Sequence, residues 1–250
     1  MDGDKTLGQL RLYNVGMGLL HAVQGAAVVV LSNDFALPVT AAFMQGPPGS
    51  SAPTEELFTL PLGPAVAAFL FLSAGAHLIV AGPAWTWYRR HLLDGRSYAR
   101  WIEYAFSSSL MIVLIAIITG IADIAALVAL FGVNASMILF GLLQEHYERP
   151  GRPGWLPFML GSLAGIVPWI AIGIYLWSPG SAAEPPAFVY AIFVSLFVFF
   201  NSFAVNMVLQ YGRIGPWRSY LFGEYVYVAL SLVAKSALAW QVFANTLFPS

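Results

Sequence analysis

Apolar side chains come in long blocks along this chain, with neither the strict alternation of a half-wet strand nor a repeating polar stripe. A helix needs roughly 20 predominantly apolar residues to cross about 30 Å of hydrocarbon. Seven blocks reach that length, approximately Gln9 to Leu31, Leu62 to Ala81, Tyr98 to Ile121, Ile124 to Leu143, Leu156 to Trp177, Ala187 to Tyr211 and Tyr220 to Leu247. Runs such as Leu110 to Ile118 are apolar on every face, which excludes the short alternating segments of a membrane β-barrel. The pattern predicts an all-α membrane protein, a bundle of seven transmembrane helices forming one domain over residues 1–250. The first block follows Asp2, Asp4 and Lys5 and is longer than a signal-peptide core, so it is expected to stay as a span.

Most connections are short. The exception is the stretch 33–60, which carries Pro38, Gly46, Pro47, Pro48, Gly49 and Pro53. Within it, Phe35 to Met44 and Leu57 to Leu60 flank a Gly-Pro turn. They predict a short β-hairpin lying over the mouth of the bundle, with a mobile loop as the alternative.

Composition agrees with a lipid environment: 59% of residues are hydrophobic and 9% charged, against about 25% charged in soluble domains. Eleven basic residues face twelve acidic ones, so nucleic acid is not an expected partner. Cysteine is absent, which removes disulfides, thiolate chemistry and Cys-ligated metal. The length is too short for a transporter made of two six-span halves.

Charge placement carries more information. With seven spans, Lys5, Arg11, Arg89, Arg90, Arg96, Arg100, Arg149, Arg152, Arg213 and Arg218 all fall on the side of the N-terminus. The other side carries Asp34, Glu55, Glu56, Asp123 and Glu184. Basic loops stay in the cytoplasm, so a multi-pass protein of the cell membrane is expected, N-terminus cytoplasmic and C-terminus extracellular. Adding or losing one span would scatter the cations over both faces.

The eleventh cation, Lys235, sits mid-span in the last block, too deep to snorkel to either interface. A charge there costs about 2.5 to 3.5 kcal/mol even on insertion scales, so it marks a functional site by default. Two uses are open: pairing with a buried carboxylate, or forming a Schiff base with an aldehyde through its nucleophilic amine. Ser231 lies one turn earlier on the same face, and Ala234, Ala237 and Ala239 leave room beside it, which favours the aldehyde. Glu103 is read as the only carboxylate clearly within a span. At about 4 Å and an effective dielectric near 20, a pair of opposite charges gains roughly 4 kcal/mol, so Glu103 is the expected counterion. His21 and His77 either pack as hydrogen-bonded residues or form a polar cavity that accepts a proton. Two histidines and one glutamate on three spans make a poor zinc site, and no metal is expected.

The runs SLVAKSALAWQ at 231–241, WIEY at 101–104 with Ser107 to Ser109, GVNASMILFG at 132–141, NDFALP at 33–38 and FFNSFA at 199–204 resemble heliorhodopsin over all seven spans and the long first loop. Heliorhodopsins are retinal proteins inverted in the membrane relative to other microbial rhodopsins. The resemblance implies all-trans retinal held as a protonated Schiff base on Lys235, with Glu103 as counterion and Ser231 beside it. It also implies that His21 and His77 belong to a cytoplasmic-side polar cavity, that Met137, Trp169 and Phe200 line the polyene, and that Tyr104 and Asn134 make polar contacts around it. It implies a homodimer through the first loop and middle helices.

The function expected on these grounds is a light sensor: retinal isomerises, the nitrogen loses its proton, and the bundle rearranges for a cytoplasmic signalling partner. A pump generally needs carboxylates on both sides of the imine, and one internal carboxylate disfavours that. A light-gated or passive ion carrier is the first alternative. A membrane enzyme using Lys235 is the second, and no further catalytic group supports it. The small residues Gly161 with Gly165, and Gly132 with Ser136, recur at four-residue spacing and can draw helices together within or between protomers.

Overall fold

The computed structural model of the chain describes residues 2–177 and 184–248. The elements are α1 (Asp2–Leu31), β1 (Ala36–Ala42), β2 (Thr54–Pro61), α2 (Leu62–Ala81), α3 (Trp85–Leu93), α4 (Tyr98–Ile118), α5 (Ile124–Tyr147), α6 (Leu156–Leu176), α7 (Ala187–Tyr211) and α8 (Tyr220–Val242). A single wide turn, Phe243–Leu247, extends α8. All seven predicted spans are present as helices long and apolar enough to cross a membrane.

Turn chemistry ends the helices where the apolar blocks stop. Gly120 takes φ +99 just beyond α4, a backbone that other residues rarely adopt. Asp123 then caps α5 by accepting from the Ala126 N–H at 3.0 Å. Pro186 closes the approach to α7. In space α1 packs on α2, α2 on α4, α4 on α5 and α5 on α6, while α7 packs on α8 and α8 returns to α1. Their outer faces keep side chains such as Leu12, Val30, Leu163 and Val198 exposed, as lipid contact requires.

The hairpin forms as expected, with β2 starting at Thr54 instead of Leu57. Its strands are antiparallel, Ala36 opposite Pro61 and Ala42 opposite Thr54, with an irregularity between Val39 and Thr40. Val39 and Ala41 point into the bundle and are buried. The Thr40 N–H bonds the Ala122 carbonyl at 2.9 Å, and Asn33 N–H bonds Leu247 O at 3.0 Å. These ties hold the hairpin across the ends of α4 and α8, so the loop is ordered.

One helix was not predicted. In α3, Tyr88 and Leu92 are buried against Leu7, Leu10 and Val80, while Arg89 and Arg90 point outward. Its charges kept it out of any apolar block, yet one buried face is enough to hold a short helix on the bundle. The Arg11 guanidinium lies 5.2 Å over the Trp85 ring and donates to Ala81 O at 2.6 Å, joining α1, α2 and α3.

The two small-residue pairs divide. Gly161 and Gly165 face α5: a Cβ on Gly161 would come within 3.0 Å of Phe140 Cβ and 3.3 Å of Met137 O. Gly132 has open space around it and Ser136 is exposed, so that pair lies on the outer face of α5. Gly161→Ala is therefore expected to cost about 1–3 kcal/mol by overpacking, because a Cβ and a backbone oxygen cannot swing away. Gly132→Ala should leave the unfolding midpoint of the monomer unchanged, and comparing the two thermal melts checks both.

Candidate functional site

Lys235 is 3% exposed in the middle of α8. Helical geometry brings Ser231, one turn earlier, under the same amine, and Lys235 Nζ donates to Ser231 Oγ at 2.8 Å. From α4, Glu103 Oε1 accepts from Lys235 Nζ at 2.8 Å. The same carboxylate oxygen accepts from Ser73 Oγ of α2 at 2.6 Å, so one ion pair ties three helices. A buried amine bonded this way has its charge balanced and its direction set.

Beside the amine runs a cavity of about 190 Å³. Of the residues expected around it, Lys235, Ser231, Tyr104, Met137, Trp169 and Phe200 do form its walls. The Tyr104 ring lies 5.1 Å from Lys235 Nζ, while its hydroxyl is turned away to donate to Tyr227 O at 2.9 Å. Trp169 stands edge-to-face with Phe193, Phe197 and Phe200 at centroid distances of 5.4, 5.3 and 5.4 Å, filling the seam between α6 and α7. Gly165 and Met137 meet in the wall, where any Cβ on Gly165 would strike the thioether.

Asn134 is not in the wall. It donates to Ser108 Oγ at 2.9 Å and to Ser109 Oγ at 3.0 Å, bracing α5 on α4 one layer behind. His21 and His77 are also outside the cavity. Their rings stack at 5.6 Å with planes 10° apart, and His77 Nδ1 pairs with Asn14 Oδ1 at 2.7 Å. His21 is fully buried and neither ring nitrogen has a hydrogen-bond partner. The pair lies within electrostatic reach of both Lys235 and Glu103. Among the described residues no group of three or more His, Asp or Glu is placed to hold a metal.

The expectation that Glu103 is the only carboxylate inside a span is corrected. Glu145 and Glu224 are 3% and 1% exposed, within α5 and α8, and Arg100 beside them is buried as well. Arg100 Nη2 donates to Glu145 Oε1 at 2.6 Å, and Nη1 bonds Glu224 Oε2. The sequence reading missed these residues because each stands near the end of its block, where a charge ordinarily meets water. A signal was present: Tyr220, Glu224 and Tyr227 share one face of α8, an unusual run of hydrogen-bonding groups for an exposed helix end.

An amine with a fixed counterion, opening onto a narrow cavity walled by Met, Trp and Phe, suits a long apolar aldehyde. The side chains supply a nucleophile and a carboxylate at the amine, and hydrocarbon or aromatic contact along the walls. Retinal has that chemistry, and the residues present fit it. The model of the family described as Heliorhodopsin matches residues 10–247 of the chain. No curated protein matches it.

Proposed function

The chain belongs to the heliorhodopsin family of retinal-binding, light-responsive rhodopsins, and from that premise we propose that it is a light sensor that signals and does not pump ions. The observation that carries the reading is the Lys235 amine, buried, paired with Glu103 and facing an apolar cavity. Bound retinal supplies absorption of visible light and rotation about a double bond. Everything else is done by the chain.

Lys235 Nζ is the point of attachment, as a Schiff base with all-trans retinal. Glu103 Oε1 balances the resulting cation, and Ser73 holds that oxygen in place. Ser231 keeps a second oxygen at the nitrogen. Met137, Trp169 and Phe200 would confine the apolar chain of the bound group. A proton leaving Nζ has Glu103 Oε1 at hydrogen-bond distance, and the stacked pair His21 and His77 is the polar cavity that would take it further. Tyr104 bounds the nitrogen from one side through its ring, and Asn134 stiffens the α4–α5 wall.

Signalling is preferred to pumping for a reason of placement. The buried carboxylates Glu145 and Glu224 lie on the Arg100 side of Lys235 and are bound to that guanidinium. Among the described residues the half beyond Lys235 holds no buried carboxylate, so the chain lacks a row of proton carriers on both sides of the nitrogen. The ten cations at the other end favour a cytoplasmic N-terminus. The open Gly132–Ser136 face of α5 suits contact with a second copy of the chain.

The test is reconstitution. Protein mixed with all-trans retinal should develop a visible absorption band that hydroxylamine removes under illumination. In lipid vesicles it should move no protons in light. Absence of a band sinks the photoreceptor reading, and a light-driven pH change in the vesicles sinks the signalling part of it.

A further inference from the structure

The retinal reading leaves unused the most densely bonded cluster in the molecule. Besides Arg100, Glu145 Oε1 accepts from Tyr220 OH at 2.8 Å, and Oε2 from Ser97 N–H and Trp101 Nε1, each at 2.7 Å. Glu224 Oε1 accepts from Ser97 Oγ at 2.6 Å and from Tyr88 OH at 3.0 Å. Tyr88 lies in α3, outside the membrane spans, where burial and the Glu224 carboxylate push its phenol well above its ordinary value, so it stays a donor. One guanidinium thus holds α3, the α3–α4 connection, α4, α5 and α8 together. Both carboxylates are paired with that one cation.

The clamp on Arg100 is aromatic. Its guanidinium carbon lies 4.6 Å from the Trp101 ring centre and 3.9 Å from that of Tyr227. Both rings also wall the cavity beside Lys235. Trp101 therefore touches the cavity with its ring and Glu145 with its N–H. Any change in cavity shape that turns Trp101 or Tyr227 displaces Arg100 or costs Glu145 a bond, and the hydrogen bond by which Tyr88 ties α3 to α8 ends on Glu224.

We propose that Arg100 is a positioning residue that senses the cavity through Trp101 and Tyr227 and sets how firmly α3 is held, making α3 the element that light loosens. The coupling stands on geometry alone. The claim that light drives it rests on the proposed retinal site.

Amide hydrogen exchange over α3, in the full chain in nanodiscs, separates the two. Without retinal, Trp101→Phe keeps a ring in the wall but loses the bond to Glu145. It should speed exchange in α3 about tenfold, the loss expected for a hydrogen bond to a charged group, while α6 exchanges as before. Unchanged exchange in α3, or equal acceleration in α6, overturns the coupling. With retinal, illumination of the wild-type pigment should raise α3 exchange. Tyr88→Phe, away from the cavity, should keep the colour while α3 exchanges fast in the dark and no faster in light. Equal rates in light and dark wild-type pigment overturn the light-driven release. If no pigment forms, the retinal reading fails and with it the light-driven part, while the Trp101→Phe comparison still decides the coupling.

Discussion

Lys235→Ala protein made with all-trans retinal comes out colourless, with its visible band lost entirely. The expectation follows from chemistry as well as family: among the described residues Lys235 is the only amine in the cavity wall, and its neighbours there are hydroxyl, thioether and aromatic groups that cannot form an imine. The variant has a second expected defect. Removing the cation leaves Glu103, its side chain one-tenth exposed, with the Ser73 hydrogen bond on its Oε1, and breaking one side of a largely buried pair costs about 3–5 kcal/mol. Lys235→Ala with Glu103→Gln should recover most of that loss while remaining colourless. Absorption spectra and thermal melts of the two proteins read the effects separately. A Lys235→Ala protein that keeps its band would show that the pigment is held elsewhere.

Arg100→Met should be the most damaging single change on the opposite side of the site. It keeps much of the aliphatic bulk between Trp101 and Tyr227 but strands two carboxylates, both almost without solvent contact. The expected loss is about 3–5 kcal/mol, read as a lower unfolding midpoint in denaturant and a poor yield of folded protein. Adding Glu145→Gln and Glu224→Gln removes the stranded charges and should restore much of the stability. If the triple variant is no more stable than Arg100→Met, packing against the two rings, and not charge, is what Arg100 contributes. This result bears on the cluster whatever the fate of the retinal reading, because no step of it needs light.

The contrast between the two sites explains what could be read in advance. Lys235 was legible because a cation in the centre of an apolar block has no ordinary explanation. Ser231 was legible with it, since a residue four positions back in a helix must share its face. Glu103 was recognisable by depth, and its partner was correctly identified as Lys235, but the Ser73 bond that steadies it comes from another helix and was not anticipated. Arg100, three residues before Glu103, was counted with the cations on the side of the N-terminus, and nothing in that count showed that it is buried between two carboxylates. Tyr104, expected as a polar contact around the pigment, instead presents its ring to the amine while its hydroxyl serves the α8 backbone. Asn134, expected as a polar contact outside the wall, braces α4 against α5.

The sequence by itself determined the seven spans, the deep lysine and the family, and left the first loop open between a hairpin and a mobile stretch. In a bilayer each helix must satisfy its own backbone and match the hydrocarbon thickness, so length and apolarity are local properties written in each block. Only the tertiary structure decided which buried charges are partnered and by what. Arg100 meets Glu145 across 45 positions of chain and Glu224 across 124. Whether a charge near a helix end faces water or a partner depends on how separate helices come together, and the local pattern of Tyr220, Glu224 and Tyr227 records only that hydrogen-bonding groups share a face.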